Sequence, residues 1–338
     1  MKDQMQSITL VRRPDGAPVP DDFSLVSSPL PQVGADEVLI EVSHLSLDPY
    51  MRGRMEEMRG YADPVALGSV MTGQGVGIVR DTQHPDIATG DLVTGMTGWA
   101  DHACLPGSEV TKLPAGTDPS AALGVLGMPG FTGWVGLNDY GRPKPGETLV
   151  VAAATGPVGS MVGQLARLAG LRTVAIAGGS EKCRLARETF GFDAAIDHRA
   201  YADADALRAA LAEVAPDGVD IYFENVGGKV LEAVVPLMNL NGRIPVIGMI
   251  AWYNGAGASA DKLPALWRSI LVKRLNVHGL LIYDHWDRLG AFLNEVGPRV
   301  ASGEITYLED VAQGLEAAPK AFIAMLTGGN VGKQIVQI

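Results

Sequence analysis

Two glycines three residues apart, Gly156 and Gly159, stand directly after the uncharged run 148–154, and apolar residues at helical spacing follow them at Val162, Leu165, Ala166 and Ala169. Strand, tight glycine turn and helix, in that order, present a helix N-terminus with unpaired amides and a positive dipole end to an anion. The loop reads Ala154-Thr155-Gly156-Pro157-Val158-Gly159. Gly156 would let the backbone approach a pyrophosphate, and Gly159 would let the helix pack closely on the strand. Ala154 replaces the first glycine of the Gly-x-Gly-x-x-Gly pattern, while Thr155, Pro157 and Val158 complete the phosphate-facing turn. A loop of this kind is common by itself. The second strand at 172–177 is what makes the dinucleotide reading specific.

The end of that second strand selects the cofactor. NAD sites usually carry Asp or Glu there, bonding the ribose 2′-hydroxyl. This chain has Gly178-Gly179-Ser180-Glu181-Lys182-Cys183-Arg184. Gly179 and Ser180 leave room for a 2′-phosphate, and Lys182 and Arg184 supply cations. Glu181 works against this, although a carboxylate also suits the first turn of the following helix. Lys182 taken alone fits a solvated helix position equally well; with the carboxylate missing, the balance falls on NADPH.

Two tyrosines and an asparagine fall where a ligand crevice would open. Asn225 ends the strand expected at 218–226, Tyr253 lies in the loop after the strand at 242–248, and Tyr283 follows the strand at 276–282. A phenol beside a nicotinamide can donate to a substrate oxygen; a packing aromatic is the ordinary alternative. Tyr50 follows Asp48-Pro49 in a short helical turn, either at the surface or facing a cleft. The six histidines, His44, His84, His102, His198, His278 and His285, form no HxxxH pair and none sits with a cysteine at a metal-ligand spacing.

Alternating elements must position these residues. Strands are expected at 149–154, 172–177, 194–197, 218–226, 242–248 and 276–282, with helices at 181–190, 203–214 and 261–274 between them. Six strands with helical crossovers make an α/β fold with a doubly wound parallel sheet. Pro245 is an irregularity within the fifth strand. Residues before 128 read as short strands at 37–43, 76–79, 91–94 and 99–105, with glycines at 68, 73, 75 and 77 for bends and close approaches. After a helix at 287–301, the segment 305–308 reads as extended, 309–326 as a helix burying Val311, Leu315, Phe322 and Met325, and 333–338 as a strand. These last elements are expected to return to the first domain, so that 1–128 and 298–338 form one domain around an inserted dinucleotide domain, 129–297.

The chain has 338 residues, 47% hydrophobic and 19% charged, with a formal net charge of −11. That length suits two globular domains, and an acidic surface disfavours nucleic acid. Two distant cysteines, Cys104 and Cys183, argue against a disulfide framework and a four-cysteine zinc lobe. The uncharged runs 119–138 and 148–166 are broken by Pro and Gly, against membrane spans, and the amino terminus lacks an apolar signal core. A cytoplasmic protein is expected.

Several motifs together carry a resemblance over essentially the whole length: Leu47-Asp-Pro-Tyr-Met-Arg52, Gly127-Met-Pro-Gly-Phe-Thr-Gly-Trp134, Ala152-Ala-Ala-Thr-Gly-Pro-Val-Gly159, Phe223-Glu-Asn-Val-Gly-Gly228 and Asn330-Val-Gly-Lys333. The chain resembles the zinc-independent medium-chain dehydrogenase/reductases, among them prostaglandin and leukotriene reductases, plant double-bond reductases and bacterial curcumin-reductase-like enzymes. The resemblance implies a Rossmann NADP-binding domain plus a GroES-like β-rich catalytic domain. It implies that Lys182 binds the 2′-phosphate and that Tyr50, Met128, Thr132, Asn225 and Asn330 surround the nicotinamide and its ribose. Tyr253 would lie near cofactor or substrate, and Tyr283 matches a tyrosine proposed to stabilise an enolate. A homodimer paired along the sixth strands is also implied. Where the family often carries a tyrosine at the 2′-phosphate, this chain has His198, with Arg199 beside it; both are candidates to replace it, which would make NADPH affinity more pH-sensitive. Thr72-Gly73-Gln74 stands where zinc-bearing relatives have Gly-His-Glu, so no metal site is expected.

The activity implied is hydride transfer from NADPH to the β-carbon of an α,β-unsaturated ketone or aldehyde. The alternatives are quinone reduction and a non-catalytic NADPH-binding role. Loops 54–66 and 252–262 would set the width of the substrate cleft.

Overall fold

The computed structural model describes residues 4–255 and 262–338. They divide into two compact units: the amino-terminal residues to Gly127 together with Glu309–Ile338, and Met128–Leu308.

The first unit is antiparallel for most of its length. Its strands are β1 (Gln4–Leu10), β2 (Phe23–Pro29), β3 (Glu37–Ser46), β4 (Gly75–Thr82), β5 (Leu92–Gly95), β6 (His102–Pro106) and β7 (Thr111–Lys112). The helical turn α1 (Tyr50–Gly53) follows β3, and α2 (Pro119–Leu123) closes this part of the chain. Asp118 starts α2 by accepting from the Ser120 amide, and Pro119 sits at the first helical position, where no amide donor is needed. β1 and β2 form their own two-stranded sheet, which the sequence reading did not anticipate. One face of the larger sheet is closed by Val38, Ile40, Val42, Val79, Ile87 and Val93.

The second unit begins with α3 (Met128–Val135), so the uncharged run 119–138 is divided between the two units. It continues as β8 (Thr148–Ala152), α4 (Pro157–Leu168), β9 (Arg172–Ala177), α5 (Ser180–Glu188), β10 (Ala194–Asp197), α6 (Ala204–Val214), β11 (Val219–Phe223), α7 (Gly228–Val234), β12 (Met238–Val246), α8 (Leu263–Lys273), β13 (Asn276–Gly279) and α9 (Leu289–Ala301). The six strands are all parallel, in the order β10-β9-β8-β11-β12-β13. This is the doubly wound arrangement, with its switch point between β8 and β11. β8 is buried at every residue, as a parallel strand covered on both faces should be. Pro245 has a physical account: the β11–β12 ladder lapses between Ile221↔Arg243 and the isolated bridge Glu224↔Val246. The proline lies in that gap, using only its carbonyl, which accepts from the Glu224 amide at 2.9 Å.

The chain then returns as β14 (Glu309–Gln313), α10 (Ala318–Leu326) and β15 (Lys333–Gln337). β15 lies between β14 and β3, in a seven-stranded sheet that runs β14-β15-β3-β4-β5-β7 with β6 on β3. Two expectations need correction here. Residues 309–313 are a strand, not the start of a helix, and Val311 is 40% exposed because β14 is an edge strand. Residues 298–308 belong with the second unit: Thr306 donates its amide to Gln164 Oε1 at 2.8 Å, and Gln164 Nε2 donates to the Thr306 carbonyl at 2.9 Å. The helix expected at 261–274 runs from Leu263, and residue 261 lies outside the described residues.

Candidate functional site

The glycine loop forms where β8 ends. Ala153 takes a left-handed conformation (φ 52°), the Gly156 amide donates to the Ala153 carbonyl at 3.0 Å, and α4 starts with Pro157 at its first position. No side chain caps this helix. A Cβ on Gly159 would lie 2.5 Å from the Ala153 carbonyl oxygen and 2.8 Å from Ala154 Cα, so only glycine allows the helix this close to the strand. A Cβ on Gly156 would meet only that same oxygen, at 3.3 Å. Bareness at 156 is therefore not required by packing; it leaves the approach to the first turn clear. Thr155 is buried, and Val158 backs α3, whose Gly133 would bring a Cβ to 3.1 Å from the Val158 carbonyl. On that helix the Thr132 hydroxyl donates to the Met128 carbonyl at 2.7 Å.

The ends of β9 and β10 are held together by one carboxylate. Asp197 Oδ1 accepts the Gly179 amide at 2.8 Å and the Arg199 amide at 2.9 Å. Burial pushes the Asp197 carboxyl up, but these two amides and the His198 and Arg199 charges outweigh it and hold it below the usual range. His198 moves the other way for an imidazole: burial first, then the charges of Lys229, Arg199 and Lys182, lower its pKa against the pull of Asp197. Three basic groups thus share the field around His198. Lys229, whose ammonium donates to the Tyr201 carbonyl at 2.6 Å, was not singled out from sequence. Arg184 is a different case. It is held by Glu181 (Nη2–Oε1 2.6 Å) and by Glu188, on the exposed face of α5. This settles the difficulty with Glu181: its carboxylate is spent on Arg184, whose hydrogen bond is the main cause of its lowered pKa.

At the switch point, Asn225 Nδ2 donates to the Ala152 carbonyl at 2.7 Å, tying the end of β11 to the end of β8. The segment after β12 docks on the same turn: the Ala251 amide donates to the Val226 carbonyl at 3.0 Å. Tyr253 folds back, its hydroxyl accepting from the Met249 amide at 3.3 Å. Tyr283 sits on the 3-10 turn Ile282–Arg288, half exposed. That turn is anchored by the Leu280 amide on the Val246 carbonyl, by His285 against the Tyr140 hydroxyl (3.0 Å) and by the Arg288–Asp139 pair. Residues 256–261 of the loop 252–262 lie outside the described residues.

Tyr50 and Asn330 belong to the first unit. Lys333, buried at the start of β15, donates to the Leu47 carbonyl at 2.6 Å and to Asp48 Oδ1 at 2.9 Å. Ser46 donates to the other oxygen of Asp48. This fixes the turn that carries Tyr50 to the strand that follows Asn330, whose Nδ2 donates to the Gly332 carbonyl at 2.8 Å. The sequence assigns no role to Lys333 and only the start of a turn to Asp48, although both lie inside the motifs quoted above. The loop 54–66 is closed at its base, with Arg13 donating to the Met55 and Val65 carbonyls at 2.8 and 3.0 Å. A hollow of about 430 Å³ in this unit, lined by Arg54, Met71, Met96, His102 and Cys104 among others, contains none of the candidate residues.

The bare first turn of α4, the absence of a carboxylate at Gly179–Ser180 and the basic set around His198 fit a 2′-phosphorylated dinucleotide. Among the described residues, no three His, Cys, Asp or Glu side chains are grouped to hold a metal ion, and no helix is long and apolar enough to cross a membrane.

Comparison with known proteins agrees with this geometry. Residues 6–113 match a family described as the N-terminal domain of oxidoreductase, and residues 157–296 one described as zinc-binding dehydrogenase. The chain is 47% identical to the NADPH-dependent curcumin reductase of Escherichia coli, covering 97% of this chain and 95% of the relative. It is 42% identical to the NADP(+)-dependent 2-alkenal reductase of Nicotiana tabacum, over 90% and 88%. The crystal structure of CurA from Vibrio vulnificus in complex with NADPH superposes with a TM-score of 0.92 at 46% identity, covering 98% of each chain. By its motifs, its sheet order and these relatives, the chain belongs to the zinc-independent medium-chain dehydrogenase/reductase family.

Proposed function

We propose that this protein is an NADPH-dependent reductase of the carbon–carbon double bond in α,β-unsaturated ketones and aldehydes. The observation that carries the reading is the basic set Lys182, His198, Arg199 and Lys229 near the end of β9, where Gly179 and Ser180 stand in place of the usual acidic residue, in a chain nearly half identical to a curcumin reductase. The second unit holds the cofactor. The first-turn amides of α4 and the loop residues Thr155, Gly156, Pro157, Val158 and Gly159 take the pyrophosphate. Lys182, His198 and Arg199 take the 2′-phosphate, with Gly179 and Ser180 leaving the space. Met128, Thr132 and Asn225 orient the nicotinamide and its ribose, and Tyr50 and Asn330 are the candidates for that role from the first unit.

Bound NADPH supplies a hydride to the β-carbon of the alkene. Negative charge then develops on the substrate carbonyl oxygen, and a tyrosine hydroxyl, with Tyr283 the first candidate and Tyr253 and Tyr50 the others, donates a hydrogen bond there. Tyr253 suits such a role because its oxygen accepts from the Met249 amide, leaving its own proton to be donated. Protonation of the α-carbon completes the saturated carbonyl. The assay is incubation with NADPH and simple enones. A saturated ketone is expected, and an unchanged alkene across several chain lengths overturns the reading. A preference for NADH would remove the role given to Lys182.

A homodimer is part of the proposal. β13 is an edge strand, and Trp267, Leu271 and Val272 on α8 and Val277 on β13 are 62%, 77%, 56% and 43% exposed. A second copy of the chain, paired along β13, would cover them. Light scattering should give twice the chain mass, and Leu271→Glu should lower it; a monomeric wild type contradicts the pairing. Two unpaired cysteines suit the reducing cytoplasm, where we place the protein.

A further inference from the structure

Glu224 is a buried carboxylate to which neither the mechanism nor the sequence gives a role. It stands between the last residue of β11 and Asn225, and both of its oxygens are used. Oε1 accepts the Gly227 amide at 2.8 Å and the Val226 amide as well. Oε2 accepts the Tyr222 hydroxyl at 2.9 Å. Burial is the main influence on this carboxyl and raises its pKa, while the amides and the phenol pull it back down. Two consecutive amides converging on one oxygen curl the backbone into an anion nest. Here the curl carries Gly227 to φ 76° and Gly228 to φ 54°, conformations that glycine adopts without strain.

The nest is a junction. On one side it delivers Asn225 to the end of β8. On the other it supports the segment 247–253. The Glu224 carbonyl accepts the Ile247 amide at 2.9 Å, the Asn225 carbonyl accepts the Ile250 amide at 3.4 Å, and the Val226 carbonyl accepts the Ala251 amide at 3.0 Å. Trp252 lies over Gly227, where a Cβ would come within 2.7 Å of its ring. Tyr253 follows directly.

We infer that Glu224 is the positioning residue that holds Asn225 and Tyr253 together at the nicotinamide end of the cofactor site. This rests on the cofactor reading above, though not on the identity of the acceptor. Shortening or removing the carboxylate leaves two buried amides and a phenol without an acceptor, and both loops shift. Charge recognition at the far end of the cofactor, around Lys182, is untouched.

The test uses the full chain and two probes followed by binding titration: NADPH, and 2′,5′-ADP, which lacks the nicotinamide. For Glu224→Ala, NADPH affinity should fall by about tenfold or more while 2′,5′-ADP affinity changes by less than about twofold. Glu224→Asp keeps the charge, falls short of the amides and should show the same split more mildly, which serves if the alanine variant fails to fold. Glu224→Gln should recover most of the NADPH affinity, because its amide carbonyl accepts the same two N–H groups. Equal loss for both probes, or loss for neither, overturns the inference. A wild type that binds NADPH but reduces no enone would instead overturn the proposed activity and leave Glu224 in its role.

Discussion

Lys182 and Lys333 put one side-chain chemistry to opposite uses. Lys333 is fully enclosed, bonded to Asp48 and the Leu47 carbonyl, and burial lowers its pKa. Lys182 lies half-buried in a set of basic groups that depress the His198 imidazole together. The first fixes backbone and is shut away from any ligand; the second stands at the edge of the structure, among the groups that depress His198. The difference teaches that the type of a residue says less about function than where the fold places it. Arg184 makes the same point: two residues from Lys182, it is turned to the exposed face of α5, between Glu181 and Glu188.

The largest effect should come from the buried lysine. Lys333→Met leaves Asp48 without its cation and should cost about 3–5 kcal/mol of stability in urea unfolding. Adding Asp48→Asn should return a good part of it; a single variant as stable as the wild type would remove the distinction. Lys182→Ala should weaken NADPH binding by about 1.5–3 kcal/mol, the value of a charge-assisted contact, and leave NADH binding unchanged. An equal effect on both cofactors would make Lys182 structural, like Lys333.

A smaller effect concerns pH. Free His198 is held neutral by burial and by its basic neighbours, so protonating it in the free protein is unfavourable. A bound 2′-phosphate reverses that field and raises the imidazole pKa, so binding takes up a proton and is favoured as pH falls. The preference for NADPH over NADH should therefore rise a few-fold between about pH 8 and pH 6.5, then stop rising near pH 6 as the phosphate itself is protonated. His198→Gln should flatten the profile; a preference that grows with pH contradicts the assignment. The smallest effect is expected at Arg184→Ala, which breaks two exposed pairs on one helix and should change NADPH affinity by less than about twofold.

How much of this was legible in the sequence depended on burial. β9 runs from Arg172 to Ala177, as its apolar run indicates, because parallel strands covered on both faces bury consecutive apolar residues. β1 escaped because the residues it buries include Ser7 and Thr9, so its pattern reads as polar surface. Residues 309–313 read as helix in the sequence because Val311 and Leu315, four apart, suit a helical face as well as a strand followed by a turn. The candidate site residues lie at strand ends, in loops and on helices, where position alone marks them. Glu224 and Lys333 are charged residues with inward-facing roles, and in a sequence they resemble solvated ones.

The place of β15 has a consequence for the order of assembly. Lys333 and Leu47 are 286 residues apart in the chain, yet β15 pairs with β3 in the middle of a sheet. During synthesis the whole of Met128–Leu308 is available before β15 exists. Until then the end of β3 at His44–Ser46, past the residues paired with β6, is an open hydrogen-bonding edge that an extended segment could join. The nascent protein therefore carries a finished nucleotide fold beside an incomplete sheet, and that interval is when misassembly, or a chaperone, has its opportunity.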